Sequence, residues 1–136
     1  MMPVRNEEKY LADAVDAVFE QNPAGGLELV IAIGPSEDAT AEVASRLKAK
    51  HGNKLIVIDN PTGGTAAGLN LAIAESKYPV VIRVDAHSEL SAGYAETAVE
   101  VLGATGAANV GGMMVAAGES EFQKAVAFGY NNRIGL

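Results

Sequence analysis

The sequence predicts an α/β domain with a predominantly parallel, Rossmann-like open sheet and helices on both faces. Short apolar runs rich in β-branched residues alternate with segments of helical spacing, which is the order of a β-α-β chain. Aromatic residues make up only 5% of the chain, whereas there are 15 glycines, and small residues let helices pack closely on a sheet. The 136 residues allow a single domain, 1–136.

The first part of the chain contains three predicted strands and two predicted helices in alternation. Residues 1–4 supply only the end of a strand, whereas the next two strands are full apolar runs that turns containing Gly and Pro close. Asn6 and Asp38 precede the helices as N-cap residues. In chain order the predicted elements are strand 1–4, helix 7–21, strand 27–33, helix 39–50 and strand 55–58.

The rest of the chain continues the same alternation. An alanine-rich helix leads to a strand of Val and Ile, and a later strand is weakened by its glycines. The predicted elements are helix 65–76, strand 80–84, helix 92–102, strand 109–115 and helix 121–131. Because the chain opens within a strand and ends at Leu136 without a cap, we expect a piece truncated at both ends. The alternative is a small complete domain with a short edge strand.

Composition and charge exclude several classes of function. The chain carries 17 acidic and 10 basic side chains, for a net charge of -7, which disfavours binding to nucleic acid. With no cysteine and two histidines, thiolate zinc sites and all-His metal sites are excluded. No apolar run reaches the roughly 20 residues that span a bilayer, and the first residues lack the apolar region of a secretory signal. We therefore expect a cytoplasmic location, or the inner face of the membrane through segments outside this chain.

Polar segments follow the predicted strands at their carboxyl ends, where parallel α/β sheets bind ligands. The most specific of these segments follows predicted strand 80–84 and contains Asp85 and His87. Residues two apart at a strand end point the same way, so the carboxylate and the imidazole could share one Mg²⁺ or Mn²⁺. That ion would also hold the diphosphate oxygens of a nucleotide. In the alternative, Asp85 caps a turn and His87 makes a local hydrogen bond.

Two other segments suit a phosphate. Residues 63–68 open a helix whose amides could receive one, although they match neither Gly-x-Gly-x-x-Gly nor the P-loop, and a tight turn with close helix packing explains the same glycines. Arg5 is a cation just past the first strand, where a nucleotide would lie, unless it is a surface arginine without a partner. The sequence lacks the Gly-x-Ser-x-Gly motif of serine hydrolases, which disfavours nucleophilic hydrolysis. His51 is expected to be solvated at a polar helix end.

Taken in order, these segments resemble the family 2 glycosyltransferases with the GT-A fold. Residues 3–8, Pro-Val-Arg-Asn-Glu-Glu, look like the family's opening Pro-x-x-Asn-Glu motif. Residues 60–70 are similar to the stretch before its central helix, and Asp85-Ala86-His87 is similar to its metal-binding Asp-x-Asp element in an Asp-x-His form. That form, with Gly111-Gly112 downstream, is most similar to the branch that includes succinoglycan-biosynthesis-type transferases.

The resemblance implies metal-dependent, inverting transfer of a sugar from a nucleotide-diphospho-sugar to a hydroxyl of a glycan or lipid-linked acceptor. It implies that Asp85 and His87 bind the divalent cation, Mn²⁺ or Mg²⁺. The residues expected to bind the donor are Pro3, Arg5, Glu7, Gly34, Thr65, Asn70 and Asp85. The family's catalytic base is expected beyond Leu136, so we predict that the isolated chain binds donor weakly and does not turn over.

The chain departs from the family after its second strand. There the family usually has Asp-Asp-Gly-Ser-x-Asp, of which the chain keeps Ser36 and Asp38, so the sequence leaves the base of the donor open. Two other functions also stay open: a non-catalytic nucleotide-binding α/β module that uses the same strand ends, and an NAD-dependent oxidoreductase. The missing glycine fingerprint disfavours the oxidoreductase.

Overall fold

A three-stranded parallel sheet forms the centre of the computed structural model, which describes residues 1–132. The strands are β1 (Met2–Val4), β2 (Leu29–Ile33) and β3 (Leu55–Asp59), and β2 lies between the other two. Met2 is paired with Ile31, and Leu29 is paired with Leu55. The predicted α/β class and the parallel pairing are both confirmed.

Five helices accompany the sheet within the described residues. Three of them begin and end within one residue of the predicted limits, and a short 3₁₀ turn, Gly52–Lys54, joins the second helix to β3. The helices are α1 (Leu11–Phe19), α2 (Thr40–His51), α3 (Thr65–Glu75), α4 (Tyr94–Thr105) and α5 (Glu121–Tyr130). No helix in this part of the chain is both long and apolar enough to cross a membrane.

The start of α1 differs from the prediction, because Asn6 is not its N-cap. Asn6 has a φ of 55°, in the left-handed region that Asn tolerates better than most residues, whereas an N-cap residue has an extended backbone. A turn follows in which the amide of Leu11 donates to the carbonyl oxygen of Glu7 over 2.9 Å. Asn6 therefore reverses the chain before the helix starts.

The two faces of the sheet are covered by different helices, as predicted. Met2 and Ile31 lie on the face that packs with α1 and α2, and both are fully buried with Leu11 in one apolar cluster. Pro3 and Ala32 point to the opposite face, where a Cβ placed on Gly68 of α3 would lie 3.4 Å from each of their Cβ atoms. Strand alternation thus assigns each residue of β1 and β2 to one layer.

The prediction of a strand at residues 80–84 is wrong, although part of the segment lies beside β1. The terminal amine of Met1 donates to the carbonyl oxygen of Ile82 over 2.8 Å, and the amide of Val84 donates to that of Met1 over 3.0 Å. In a parallel pair, one residue donates to and accepts from two residues that lie two apart on the other strand, as Met1 does with Ile82 and Val84. Val80 and Val81, just upstream, are more than a third exposed, so pairing covers only the end of the segment.

The prediction of a strand at residues 109–115 is also wrong. These residues have no regular structure, and the side chains of Met113, Met114 and Val115 are 92%, 76% and 70% exposed. A strand needs a neighbouring strand for its backbone groups, and within residues 1–132 this segment is paired with none of the three strands. The predicted lack of a terminator at Leu136 falls outside the described residues.

Candidate functional site

A polar cleft of about 200 Å³ lies at the carboxyl ends of β1, β3 and the paired segment that ends at Val84. This is the edge at which parallel α/β sheets bind ligands. The structure brings six of the predicted site residues to its lining: Pro3, Arg5, Glu7, Thr65, Asp85 and His87. Asn60, Gly63 and Arg83 complete the polar part of the wall.

Two predicted donor-binding residues, Gly34 and Asn70, do not line the cleft. Gly34 lies behind Gly63, and a Cβ built on Gly34 would stand only 2.9 Å from the Cα of Gly63. Asn70 is exposed on α3. Gly34 is therefore required for a close approach of two loops, which is a packing role.

Asp85 and His87 each have a partner other than one another. The Arg83 guanidinium donates to both oxygens of Asp85, with Nε–Oδ1 at 2.9 Å and Nη2–Oδ2 at 3.3 Å. His87 Nδ1 lies 2.9 Å from Glu7 Oε1. The Glu7 side chain is 18% exposed, whereas that of His87 is 63% exposed. Two carboxylates thus face this edge, and each is already paired with a cation or an imidazole.

Arg5 is fixed at one end only. Its Nε donates to the carbonyl oxygen of Pro35 over 3.2 Å, and its two terminal nitrogens have no hydrogen-bond partner within residues 1–132. A guanidinium with free donors is suited to a phosphate or a carboxylate. Arg5 is therefore the cation of this cleft that is left to meet an anionic ligand.

Hydrogen bonds that we call the loop clasp join the loop after β1 to the loop after β2. The amides of Asn6, Glu7 and Glu8 donate to Ser36 Oγ, Thr40 Oγ1 and Asp38 Oδ2 over 3.1, 2.8 and 3.0 Å, respectively. Two amides donate in the other direction, from Glu37 to Asn6 Oδ1 and from Ala39 to Glu8 Oε2, both over 2.9 Å. The loop clasp holds the backbone that carries Arg5 and Glu7.

Asp38 and Ser36, the two residues kept from the family's motif after the second strand, both serve the loop clasp. The Thr40 hydroxyl, followed by the amides of Glu8 and Thr40, donates to Asp38 and lowers the pKa of its carboxyl below the usual value. Asp38 Oδ1 accepts from the amide of Thr40 at the start of α2 over 3.1 Å. The prediction that Asp38 is the N-cap of this helix is wrong: the N-cap is Ala39, without a side-chain cap bond, and Asp38 lies one residue before it because the helix begins at Thr40.

Asn60 belongs to the segment 60–70 on which the family resemblance rests, but it is not among the predicted donor-binding residues. Its side chain is 2% exposed, its Nδ2 donates to the carbonyl oxygen of Gly64 over 3.0 Å, and its Oδ1 accepts from the Thr62 hydroxyl over 3.0 Å. An Asn that hydrogen-bonds its own turn is a recognised signal in sequence. Asn60 shapes the turn that places Thr65 at the cleft.

The glycines of the segment 63–68 have packing roles. Gly63 has a φ of +66°, and a Cβ on Gly68 would lie 2.8 Å from Asn60 Nδ2. A left-handed turn and a close helix contact both favour glycine. The geometry accords with the tight-turn alternative for these residues.

His51 is not solvated as expected. Its side chain is 15% exposed, its ring stacks on Phe19 with centroids 4.2 Å apart, and its Nε2 lies 3.1 Å from Asp16 Oδ1. Lys50 also donates to Asp16, and this bond chiefly lowers the pKa of the Asp16 carboxyl. The group joins α1 to α2 and does not line the cleft.

A divalent cation fits the cleft only together with further ligands. No group of three or more His, Asp or Glu side chains within residues 1–132 could hold a metal by itself. A carboxylate has about four lone-pair sites, so Asp85 can accept from Arg83 and still bind an ion, and His87 Nε2 is a second donor. Mg²⁺ is commonly held by one or two protein ligands plus substrate phosphates and water. The residues present therefore fit a metal that arrives with a diphosphate.

The fold is similar to that of solved structures of TarS from S. aureus. One covers 85% of this chain and 22% of its own, with a TM-score of 0.67 and 20% identity. TarS 1-349 in complex with UDP has a TM-score of 0.67 and 19% identity over 85% of this chain and 38% of its own. These likenesses show the class, a GT-A-type α/β fold.

The sequence comparisons are more specific. Residues 1–134 match the family described as Glycosyl transferase family 2, and the chain belongs to that family. The succinoglycan biosynthesis protein ExoA of Rhizobium meliloti (strain 1021) is 36% identical over 139 residues, which cover 99% of this chain and 41% of that protein.

A second curated relative is more distant. Glycosyltransferase AglE of Haloferax volcanii is 26% identical over 113 residues, which cover 82% of this chain and 37% of that protein. The chain thus spans about two fifths of the length of the curated relatives it matches. The resemblance to family 2 glycosyltransferases that the ordered motifs indicate is confirmed.

Proposed function

We propose that this chain carries the donor-binding half of an enzyme that transfers a sugar from a nucleotide-diphospho-sugar to an acceptor hydroxyl, with inversion and with a divalent cation. One observation carries the proposal: Arg5, Asp85 and His87 meet in one cleft at the carboxyl edge of the sheet. Family membership supports glycosyl transfer as the reaction class.

The side chains of the cleft have complementary tasks in this proposal. Asp85 and His87 would hold the cation, which when bound would neutralise the charge that develops on the leaving diphosphate. Arg83 fixes the Asp85 carboxylate through two hydrogen bonds. Arg5 would add its free guanidinium donors to the diphosphate oxygens.

The acceptor step needs a general base to take the proton of the attacking hydroxyl. Glu7 and Asp85, the acidic residues in the cleft lining, are engaged with His87 and Arg83. We therefore propose that residues outside this chain supply the base. The R. meliloti relative is named a succinoglycan biosynthesis protein, which supports a glycan as the acceptor.

Calorimetric titration of the chain with UDP, with and without Mn²⁺, tests the proposal. UDP is the first probe because it is bound in the TarS 1-349 structure. We expect binding that requires Mn²⁺ and that falls about tenfold or more in Asp85→Ala, because the variant removes a ligand of the ion. Glu75→Ala, at the far end of α3 and exposed, makes the same charge change and should leave the affinity unaltered.

Other outcomes would point to the alternative functions. UDP binding that is independent of Mn²⁺ and survives in Asp85→Ala would indicate a nucleotide-binding module without transfer chemistry. A preference for NAD⁺ over UDP would indicate an oxidoreductase. Either result would overturn the proposal.

A further inference from the structure

We propose that Glu7 is a positioning residue for His87: its carboxylate holds the imidazole in the tautomer with hydrogen on Nδ1, so that Nε2 presents a free lone pair to the cation. The family resemblance implies only that Glu7 is one of the donor-binding residues. The inference rests on the proposed function for the role of His87, whereas the tautomer itself is a property of the metal-free chain.

The tautomer follows from the hydrogen bond between the two side chains. An ionised carboxylate only accepts hydrogen bonds, so the 2.9 Å contact between His87 Nδ1 and Glu7 Oε1 requires hydrogen on Nδ1. In the neutral ring the other nitrogen is then an acceptor. A carboxylate or carbonyl that accepts from the second nitrogen of a metal-binding His fixes the ring orientation in the same way.

Glu7 is the better fixed partner of the pair. Its amide donates to the hydroxyl of Thr40 over 2.8 Å, and Thr40 is fully buried. Its carbonyl oxygen accepts from the amides of Tyr10 and Leu11 over 3.1 and 2.9 Å. Because both backbone groups of Glu7 are bonded, its Cα is held at a defined place relative to the sheet, and its side chain is only 18% exposed.

His87, in contrast, has little else to orient it. Its side chain is 63% exposed, and it lies in a turn closed by the bond from the amide of Ser88 to the carbonyl oxygen of Asp85 over 2.9 Å. Asp85 is oriented separately by Arg83. Loss of the Glu7 carboxylate should therefore release His87 and leave Asp85 in place.

The tautomer is measured by ¹⁵N NMR of the imidazole rings in the metal-free chain, at a pH above which the ring shifts no longer change. The chain has two histidines, and His51→Gln assigns the signals. We expect His87 to carry hydrogen on Nδ1 in the unsubstituted chain and to exchange between both tautomers in Glu7→Ala. Glu7→Gln keeps the shape but offers both a donor and an acceptor, so the bias should shrink without vanishing.

Metal affinity gives the second readout. Free Mn²⁺ is followed by electron paramagnetic resonance while the chain is titrated at a fixed UDP concentration. We expect Glu7→Ala to weaken Mn²⁺ binding about 10- to 100-fold, the usual cost of removing such a supporting group, with Glu7→Gln in between. Glu37→Ala, an exposed acid of the neighbouring loop, removes the same charge and should stay within about twofold, since surface charges act weakly.

The outcomes separate the inference from the proposed function. Hydrogen on Nε2 of His87 in the unsubstituted chain would overturn the inference, and so would equal Mn²⁺ affinity in the unsubstituted chain and Glu7→Ala. Both results leave Mn²⁺-dependent UDP binding through Asp85 intact. Absence of Mn²⁺-dependent binding in the unsubstituted chain would instead overturn the proposed function, and the NMR result would still decide whether Glu7 sets the tautomer.

Discussion

Two regions of the chain, residues 1–79 and residues 80–132, are built differently. The first contains the sheet and nearly all of the apolar core, and its buried polar side chains are Gln21, Thr40 and Asn60. In the second, four residues are buried within the described part, Val84, Ala86, Ala95 and Ala127. The second region instead exposes large apolar side chains, among them Met113 and Phe122 at 92% and 79%.

The difference shows what a parallel strand requires. The runs at 27–33 and 80–84 look alike as sequences, and only the first contains a strand, because Leu29–Ile33 pair with β3 over five consecutive residues and with β1 over three. Residues 82–84 meet Met1 on one side. The length over which the backbone is paired, more than composition, decides which apolar run becomes a strand.

The largest expected difference between the regions is in core truncation. Ile31→Ala removes most of a fully buried side chain in β2 and should lower the free energy of unfolding by about 2–5 kcal/mol. Met114→Ala, at a side chain 76% exposed, should change it by less than about 0.5 kcal/mol. Urea unfolding measures both, and similar losses would show that the second region is packed in solution.

A smaller effect is expected from the loop clasp. Thr40→Val keeps the shape but removes the acceptor for the amide of Glu7 and one of the donors to Asp38, which should cost about 1–3 kcal/mol, chiefly because the amide of Glu7 is left without its acceptor. Thr105→Val, in α4 of the second region, loses two exposed bonds, one to the carbonyl oxygen of Val101 and one from the amide of Ala107. Its cost in the same urea experiment should be below about 0.5 kcal/mol, and an equal cost for the two would contradict the importance of the loop clasp.

The smallest expected effect is the pH dependence of the loop clasp. The Thr40 hydroxyl lowers the pKa of the Asp38 carboxyl, so the folded-state value lies below the unfolded value of about 4. The carboxylate then contributes stability that is complete above the unfolded value and is lost as the pH falls through the folded value.

Unfolding at several pH values checks this contribution. The stability difference between the unsubstituted chain and Asp38→Asn should be constant from about pH 7 to 5 and should shrink below about pH 4. Glu100→Gln, at an exposed residue of the second region, makes the same charge change and serves as the matched control. A pH-independent stability difference for Asp38→Asn would contradict the expected contribution of its lowered pKa.

Much of the first region could be predicted from its sequence. Apolar runs and turn residues predicted β2 and β3, and helical spacing predicted α2 and α3, because these signals act over a few neighbouring residues. The left-handed Asn6 could not be predicted, since its conformation depends on loop partners some 30 residues away, such as Glu37. In the second region, the strand predicted at residues 109–115 is absent, because the sequence of a run does not show whether another strand lies beside it.

The sequence predicted which residues line the candidate site better than it predicted which of them contact one another. The sequence predicted that Asp85 and His87, which follow the segment 80–84, lie at the carboxyl edge of the sheet. They line the cleft there together with Arg5 and Glu7. The pairing of His87 with Glu7, 80 residues apart, has no local signal. The burial of Asn60 could have been suspected, because an Asn before Pro-Thr-Gly-Gly is typical of a turn held by its own side chain.

The contact between Gly34 and Gly63 has a consequence for how this domain can diversify. A Cβ on Gly34 would overlap the Cα of Gly63, and a Cβ on Gly63 would press on Pro35 at 3.2 Å. Part of the cleft wall is therefore main chain, which presents the same amides and carbonyls whatever substitutions accumulate elsewhere. New ligand preferences can arise only where side chains face the cleft, at positions such as Arg5 and Thr65. Within this lineage, evolution can change the lining of the binding site but not this part of its frame.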